Sequence, residues 1–323
     1  MPGRGFIVVS LCCGILCAGR AQDVALRWPE AVVPPEAEVG EGEPVAGWAT
    51  AYRTRSFEVR AARPLDPAKL RAFAGVVDAV PVVLRALPLP LFQPPDQARP
   101  IIEVVADEPS FLAAGGVENM AGAYLNRRQC IVVRGDILFG PAAAARDLAG
   151  RRRDLNLIVH EAVHLGMHRL IGRLPPWFSE GCAEYVTAAR CADGRFVFTA
   201  IEPAVRGHLA LYLGAEAGRF TVAPVAAVMA LDGDGWSAHV AGLPEAARYR
   251  PYATSLLLAH YFFHGGDERR GALRGYLDEV LRPAGPRHPA AAAPVLPAPP
   301  PAELQAKLSA FWGIQGVRLV FAE

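Results

Sequence analysis

The sequence predicts an α+β fold, in which a small N-terminal mixed lobe with a β-sheet precedes a mostly helical C-terminal lobe. Short apolar runs typical of strands occur up to residue 133, and helical apolar spacing dominates the rest of the chain. With 323 residues, 52% of them hydrophobic, the chain is long and apolar enough to bury a substantial core. We therefore expect one domain with two lobes.

The N-terminus has the features of a secretory signal peptide. Arg4 precedes an apolar run at 6–18, and the small residues Gly19 and Ala21 follow it. This run is shorter than the roughly 18 to 20 apolar residues that a transmembrane helix needs, and no later segment reaches that length. We predict a leader at 1–21 and an exported chain, periplasmic or extracellular, without an integral membrane span. A lipid-anchored form and an uncleaved anchor are the alternatives.

Residues 22–47 are rich in Pro, Glu and Gly and lack sustained periodicity, which predicts an extended lead-in to a domain at 48–323. Apolar patterns then predict the elements of the first lobe. These are strands at 49–60, 100–105 and 129–133 and a helix at 66–87.

The second lobe is predicted to be mostly helical. Asp154 is a good N-cap for a helix that continues to about Ile171, where Gly172 ends it. Further helices are predicted from Pro176, at 223–231, at 252–264 and at 302–312, with a Pro/Ala-rich loop at 282–301.

The charge pattern argues against nucleic acid as a partner. The formal net charge is +1, and the sequence has no basic block and no basic stripe interleaved with aromatic residues. The Asp-rich stretch at 231–236 resembles a calcium loop, but Leu243 stands where such a loop needs its last Glu. We interpret that stretch as a turn.

Three cysteines follow the predicted leader: Cys130, Cys182 and Cys191. Since an exported protein permits disulfides, a bridge between Cys182 and Cys191 is one alternative. Cys182 lies on an apolar predicted helix, where cysteine is more often a small buried hydrophobic side chain than a nucleophile. We expect Cys182 to be a small buried hydrophobic side chain.

Residues His160 to His164 read His-Glu-Ala-Val-His within an otherwise apolar predicted helix. Positions i and i+4 share one face of a helix, so both imidazoles can reach a single metal ion, with Glu161 beside it. Burying these polar groups without partners costs several kcal/mol, which a zinc ion would offset. A purely structural hydrogen-bond network is the competing interpretation.

Zinc sites that perform hydrolysis have three protein ligands and one open position. Glu180, at the start of the next predicted helix, is the candidate third ligand. Glu184 lies one turn further on, where it could accept a hydrogen bond from the free nitrogen of a ligand histidine. The alternative for Glu184 is an acid on the helix surface.

The run Pro176-Trp177-Phe178-Ser179-Glu180-Gly181-Cys182-Ala183-Glu184-Tyr185, together with the two-histidine motif, resembles the gluzincin clan of zinc metallopeptidases. Within that clan it is similar to the bacterial peptidase MA-like proteins of unknown function. The diagnostic residues span 160–185, with a weaker likeness at 124–133 and 252–263. The resemblance implies a bound Zn²⁺ and a zincin-like, peptidase fold, but it does not imply a substrate. The expected partner is an unidentified peptide or protein substrate.

The metzincin pattern is excluded, because it needs Gly and His where this chain has Met167 and Leu170. His168 is one turn too far along the helix to share the ion, and we expect a structural role for it. By analogy with related peptidases, the predicted strand at 129–133 would hold an extended peptide along its edge.

The expected function is that of an exported zinc metallohydrolase, a peptidase with Glu161 as general base. A hydrogen-bond donor for the developing oxyanion is expected opposite the base, and Tyr252 is the candidate. Tyr261, His264 and Arg250 are further candidates for this hydrogen-bond donor.

Two alternatives to a peptidase remain open. One is a non-catalytic, zinc-stabilised binding module, against which the intact Glu161 argues. The other is a zinc amidase acting on a non-peptide cell-wall substrate, which would share the same site and differ in the shape of its pocket.

Overall fold

The computed structural model describes residues 26–118, 120–140, 148–214, 218–282 and 295–322, with the backbone alone at 148–154. The predicted leader at 1–21 lies outside the described residues, as does most of the predicted Pro/Ala-rich loop at 282–301. Across the described part of the chain, no helix is long and apolar enough to cross a membrane. The protein is a mixed α/β structure, consistent with the predicted α+β class.

A six-stranded sheet is built from residues of the N-terminal part of the chain. Its strands, in spatial order, are β2 (Val39–Glu41), β3 (Thr50–Thr54), β4 (Glu58–Ala61), β5 (Ile101–Val105), β7 (Cys130–Arg134) and β6 (Gly122–Leu125). Strands β4, β5 and β7 run parallel, and β2, β3 and β6 pair antiparallel with their neighbours. Two strand pairs lie outside this sheet: β1 (Ala31–Val32) with β8 (Phe196–Val197), and β9 (Arg219–Val222) with β10 (Arg318–Phe321).

The prediction of one continuous strand at 49–60 was wrong. This segment is a hairpin, in which β3 and β4 are joined by a turn. Buried Asp78 stabilises the reversal, because its carboxylate accepts hydrogen bonds from the backbone N–H groups of Arg55 and Ser56. It also accepts one from the hydroxyl of Thr54, at 2.9 Å. Burial raises the pKa of Asp78 despite these bonds, which lower it.

The described part of the lead-in, at 26–47, pairs and packs with the rest of the fold. Strand β1 pairs with β8, and β2 adds to the main sheet next to β3. Val32 is buried in the main core, and the ring of Trp28 lies 5.3 Å from that of Phe263.

The strand predicted at 129–133 is β7, but it does not have a free edge. It is hydrogen-bonded to β5 on one side and to β6 on the other. The expectation that this strand holds a peptide along its edge was wrong. Within the described sheet the outer strand on this side is β6.

Eleven helices are present in the described parts of the chain. They are α1 (Pro67–Ala86), α2 (Glu108–Ala113), α3 (Gly135–Leu138), α4 (Leu148–Gly166), α5 (Pro176–Ala189), α6 (Glu202–Leu213), α7 (Val225–Met229), α8 (Gly233–Gly242), α9 (Arg250–His264), α10 (Asp267–Leu281) and α11 (Pro301–Ile314). Helices α1, α5, α9 and α11 match their predicted positions within a few residues.

Helix α4 differs from its prediction at both ends. It begins at Leu148, so Asp154 lies inside the helix and is not its N-cap. It ends at Gly166, not near Ile171, because the Gly166 carbonyl accepts a hydrogen bond from the backbone N–H of Gln93 at 2.7 Å. The segment after Gly166 continues as hydrogen-bonded turns.

The stretch at 231–236, interpreted as a turn, begins helix α8 instead. Asp232 is the N-cap, and its carboxylate accepts a hydrogen bond from the backbone N–H of Gly235. Its acidic side chain is therefore explained by capping. Cys130, Cys182 and Cys191 are free, so the alternative of a bridge is wrong, and Cys182 is fully buried as expected.

Candidate metal centre

Helix α4 presents His160, Glu161 and His164 at the boundary between the sheet and the helical lobe. All three are buried, with 8%, 6% and 8% of their surface exposed. Because the two histidines are four residues apart, their rings lie on one face, and their Nε2 atoms are 2.9 Å apart.

Glu180 reaches the same point from α5. Its Oε2 lies 3.1 Å from Nε2 of His160 and 3.4 Å from Nε2 of His164. The position of α5 depends on Gly181, where an added Cβ would lie 2.3 Å from the carbonyl oxygen of Ser255 on α9. The glycine after the candidate ligand therefore permits close packing of the two helices.

The three side chains fit a metal ion. Their donor atoms lie within 4.8 Å of one another, and no other such group occurs in the part of the chain that the structure describes. Zinc–ligand distances near 2.0 to 2.1 Å in a tetrahedron place donor atoms about 3.3 Å apart. The separations of 2.9, 3.1 and 3.4 Å observed here match that spacing.

Glu184 connects the histidine motif to the helical lobe. One of its carboxylate oxygens lies 3.0 Å from Nδ1 of His160. The other accepts hydrogen bonds from Nε2 of His208, at 2.6 Å, and from the hydroxyl of Tyr249. Glu184 is 6% exposed, so the alternative of a helix-surface acid is wrong.

Sequence analysis missed His208 and Tyr249. They lie 24 and 65 residues from Glu184 along the chain, on α6 and immediately before α9. No local spacing connects them to the motif. Only the packing of α6 and α9 beside α5 brings them to the carboxylate.

The two candidate histidine ligands differ in their outer contacts. Nδ1 of His160 lies within hydrogen-bond distance of the Glu184 carboxylate, and this contact fixes the orientation of the imidazole ring. Nδ1 of His164 is buried and has no hydrogen-bond partner among the described residues. Among the described residues, Nδ1 therefore has a hydrogen-bond partner in His160 but not in His164.

Glu161 lies beside the three donor atoms and contacts the sheet. Its Oε2 accepts a hydrogen bond of 2.6 Å from the backbone N–H of Tyr124 on β6. Burial raises the pKa of Glu161 above its ordinary value. A carboxylate with a raised pKa is better able to accept and return a proton near neutral pH.

The charges of the centre are coupled. Burial alone would lower the pKa of His160, but hydrogen bonds to Glu180 and Glu184 raise it well above its usual range. Burial would raise the pKa of Glu180, but its interactions with His164 and His160 lower it to about 2. Similar interactions with His160 and His208 lower the pKa of Glu184. Both carboxylates are therefore ionised and place negative charge beside His160.

Tyr252 lies close to the centre. Its ring packs edge-on against that of His160, with centroids 6.1 Å apart, and against that of Trp236. Burial and the nearby charge of Glu180 raise the pKa of Tyr252, so its phenol stays protonated and can donate. Two of the further candidates for the hydrogen-bond donor have contacts elsewhere. Tyr261 packs against Arg269, and His264 contacts the hydroxyl of Tyr185.

His168 is not part of the three-residue group. Its Nδ1 lies 2.6 Å from the hydroxyl of Tyr124, which connects the turn after α4 to strand β6. This contact gives His168 a structural role, as the sequence predicts.

A cleft of about 740 Å³ opens beside the centre. His164 and Glu180 form part of its wall, and Tyr124 on β6 lines it as well. The candidate metal centre is therefore accessible to a molecule larger than water.

The sequence matches no protein-family model and no curated protein.

Proposed function

We propose that this protein is a zinc-dependent metallohydrolase, and specifically a peptidase with a zincin-like fold. One observation carries the proposal: two histidines and a glutamate from two helices converge with the spacing of a zinc site, next to a buried carboxylate and an open cleft. His160, His164 and Glu180 would hold the ion. The predicted leader would place the enzyme outside the cytoplasm.

The reaction is the addition of water across an amide bond. A bound zinc ion would polarise the carbonyl and make water more acidic. Glu161 accepts a proton from the attacking water as the new C–O bond forms. It then delivers that proton to the nitrogen as the C–N bond breaks, so the leaving group departs as an amine.

Two further residues assist the proposed hydrolysis. Glu184 orients His160 through the hydrogen bond to its Nδ1. Tyr252 donates a hydrogen bond from its protonated hydroxyl to the oxygen on which negative charge develops.

The location of Glu161 favours an enzyme over a zinc-stabilised binding module. A purely structural zinc site has four protein ligands and needs no adjacent base, whereas three ligands leave a position open. Here the group has three members, and Glu161 is hydrogen-bonded to the backbone of the outer strand β6. An extended peptide on β6 would therefore lie next to the base, which favours a peptide over a non-peptide amide.

The test is the substitution Glu161→Gln, with zinc content and peptide cleavage measured on the same preparations. We expect the wild-type protein to bind one zinc ion and to cleave members of a peptide library. The variant should keep its zinc and lose activity by about 10²- to 10⁴-fold, the range for loss of a general base.

His260 and His264 on α9 form a second pair of histidines four residues apart. Glu202→Gln is the matched control, because the Glu202 carboxylate lies 3.7 Å from Nε2 of His260. It should leave both zinc content and cleavage unchanged. Stoichiometric zinc without cleavage by the wild type would favour a binding module. Protein purified without zinc, and equally stable in chelator, would refute the metal centre itself.

A further inference from the structure

The cleft beside the candidate metal centre has a mostly apolar wall. The turn before α5 contributes one side, and the end of α7 with helix α8 contributes another. Its apolar and aromatic lining includes Leu174, Trp177, Met229, Leu231, Trp236 and Tyr276.

Packing holds this wall in place. Trp236 and Tyr276 are each 5% exposed, and Trp177 is 1% exposed. Trp236 packs edge-on against Tyr252, which in turn contacts His160. The apolar wall is therefore continuous with the candidate metal centre.

Charged side chains are few in the cleft. Apart from Glu180 and His164 of the centre, the described residues lining it include only Arg173 and Asp232 as charged groups. Both are exposed, and the Asp232 carboxylate already caps α8. A charged substrate group entering the apolar part would lose its hydration without gaining a partner there.

We propose that this cleft binds a large apolar side chain adjacent to the amide bond that is cleaved. The substrates would then be peptides with an aromatic or long aliphatic residue at that position. This inference rests on the proposed function, since the cleft is defined by its continuity with the metal centre. Its volume of about 740 Å³ has room for more than one side chain.

Met229 offers a way to change the cleft without touching the metal centre. It is partly exposed and contributes to the wall. The substitution Met229→Glu places a carboxylate there, and Met229→Gln changes the shape similarly without the charge. Zinc-loaded wild type and both variants would be profiled on one peptide library, with zinc content and thermal unfolding recorded for each.

We expect the wild type to prefer Phe, Leu, Met or Tyr beside the cleaved bond by at least about tenfold over Asp or Lys. Met229→Glu should lower kcat/KM for those apolar peptides about tenfold or more and raise the relative cleavage of Lys and Arg peptides. Met229→Gln should change the profile much less. Leu231→Glu provides a second variant if Met229→Glu does not fold.

Cleavage without an apolar preference, or an unchanged profile in Met229→Glu and Leu231→Glu, would overturn the inference while leaving the peptidase intact. Binding of the hydroxamates of phenylalanine and glutamate provides a readout that needs no turnover. Tighter binding of the phenylalanine compound, with no peptide cleaved, would support the cleft and overturn the peptidase. Equal binding of the two compounds with no cleavage would overturn both.

Discussion

Two helices of this protein carry a pair of histidines four residues apart, and the two pairs have different surroundings. His160 and His164 lie on α4 with ring centroids 4.6 Å apart, and His260 and His264 lie on α9 with centroids 4.7 Å apart. Their sequence spacing and centroid separations are nearly the same, whereas the ring planes are inclined by 77° in the first pair and 34° in the second. Their environments decide what each pair can do.

The α4 pair is surrounded by carboxylates and the α9 pair by aromatic rings. His160 contacts Glu180 and Glu184 at 3.1 and 3.0 Å. His260 is fully buried, lies 4.7 Å from the ring of Trp312, and neither ring nitrogen has a hydrogen-bond partner among the described residues. Its nearest acid, Glu202, is 3.7 Å away.

The pKa values follow this difference. Carboxylates raise the pKa of His160, whereas burial lowers that of His260 well below its usual range. The α4 pair thus lies beside negative charge, whereas burial favours the neutral form of both histidines of the α9 pair. Two histidines at helical spacing do not by themselves make a metal site.

The largest expected effect is on zinc affinity. His164→Ala removes one candidate ligand and should weaken zinc binding by about 1000-fold or more, since loss of an outer-sphere partner already costs about 10- to 100-fold. His264→Ala makes the same change in the α9 pair and should leave the affinity unchanged. Competition with a chromogenic chelator measures both. Equal losses of zinc affinity in the two variants would contradict the assignment of the metal site to the α4 pair.

The second effect is on stability at acid pH. Burial lowers the pKa of His264 to about 4. Between its ordinary value near 6.5 and about 4, the unfolded chain binds a proton that the folded protein does not. The contribution of neutral His264 to the free energy of unfolding is therefore fully present above about pH 6.5 and is lost as the pH falls toward 4. The loss amounts to about 3 kcal/mol.

His264→Gln removes the titrating ring and keeps a polar group near Tyr185. The decrease in unfolding free energy between pH 7 and pH 4.5 should then be smaller than in the wild type by about 2 to 3 kcal/mol. Urea denaturation at the two pH values, with chelator present in both, measures the difference. An identical decrease in both proteins would show that His264 is not held neutral.

The smallest expected effect concerns the support of the α4 pair. His208→Gln should weaken zinc binding about tenfold, because His208 holds the carboxylate that orients His160. Tyr249→Phe removes the other donor to Glu184 and should act in the same direction. Zinc affinity, measured beside unfolding free energy, separates this role from general stability. Reduced stability with unchanged affinity would make the network purely structural.

Much of the candidate site could be predicted from the sequence, because its residues are close together along the chain. The helical period places His160 and His164 on one face, and the next helix begins at Pro176 as predicted. Glu184 is near enough in sequence to be paired with a ligand histidine. His208 and Tyr249 could not be found in this way, since nothing local relates them to the motif.

The errors about the fold have the same origin. The hairpin within 49–60 depends on Asp78 from a different element, and the end of α4 depends on Gln93. The internal position of β7 depends on pairing with β5 and β6. Each is a contact between residues distant in the chain, which periodicity does not encode.

The sequence by itself determined the positions of α1, α5, α7, α9 and α11 within a few residues, the spacing of the histidines and the types of side chain at the centre. Only the tertiary structure decided that the α4 pair receives two carboxylates and a cleft while the α9 pair is enclosed by aromatic rings. The physical reason is that the pKa of a buried imidazole depends on which charges lie within a few ångströms of it. Those neighbours are supplied by the packing of α5, α6 and α9.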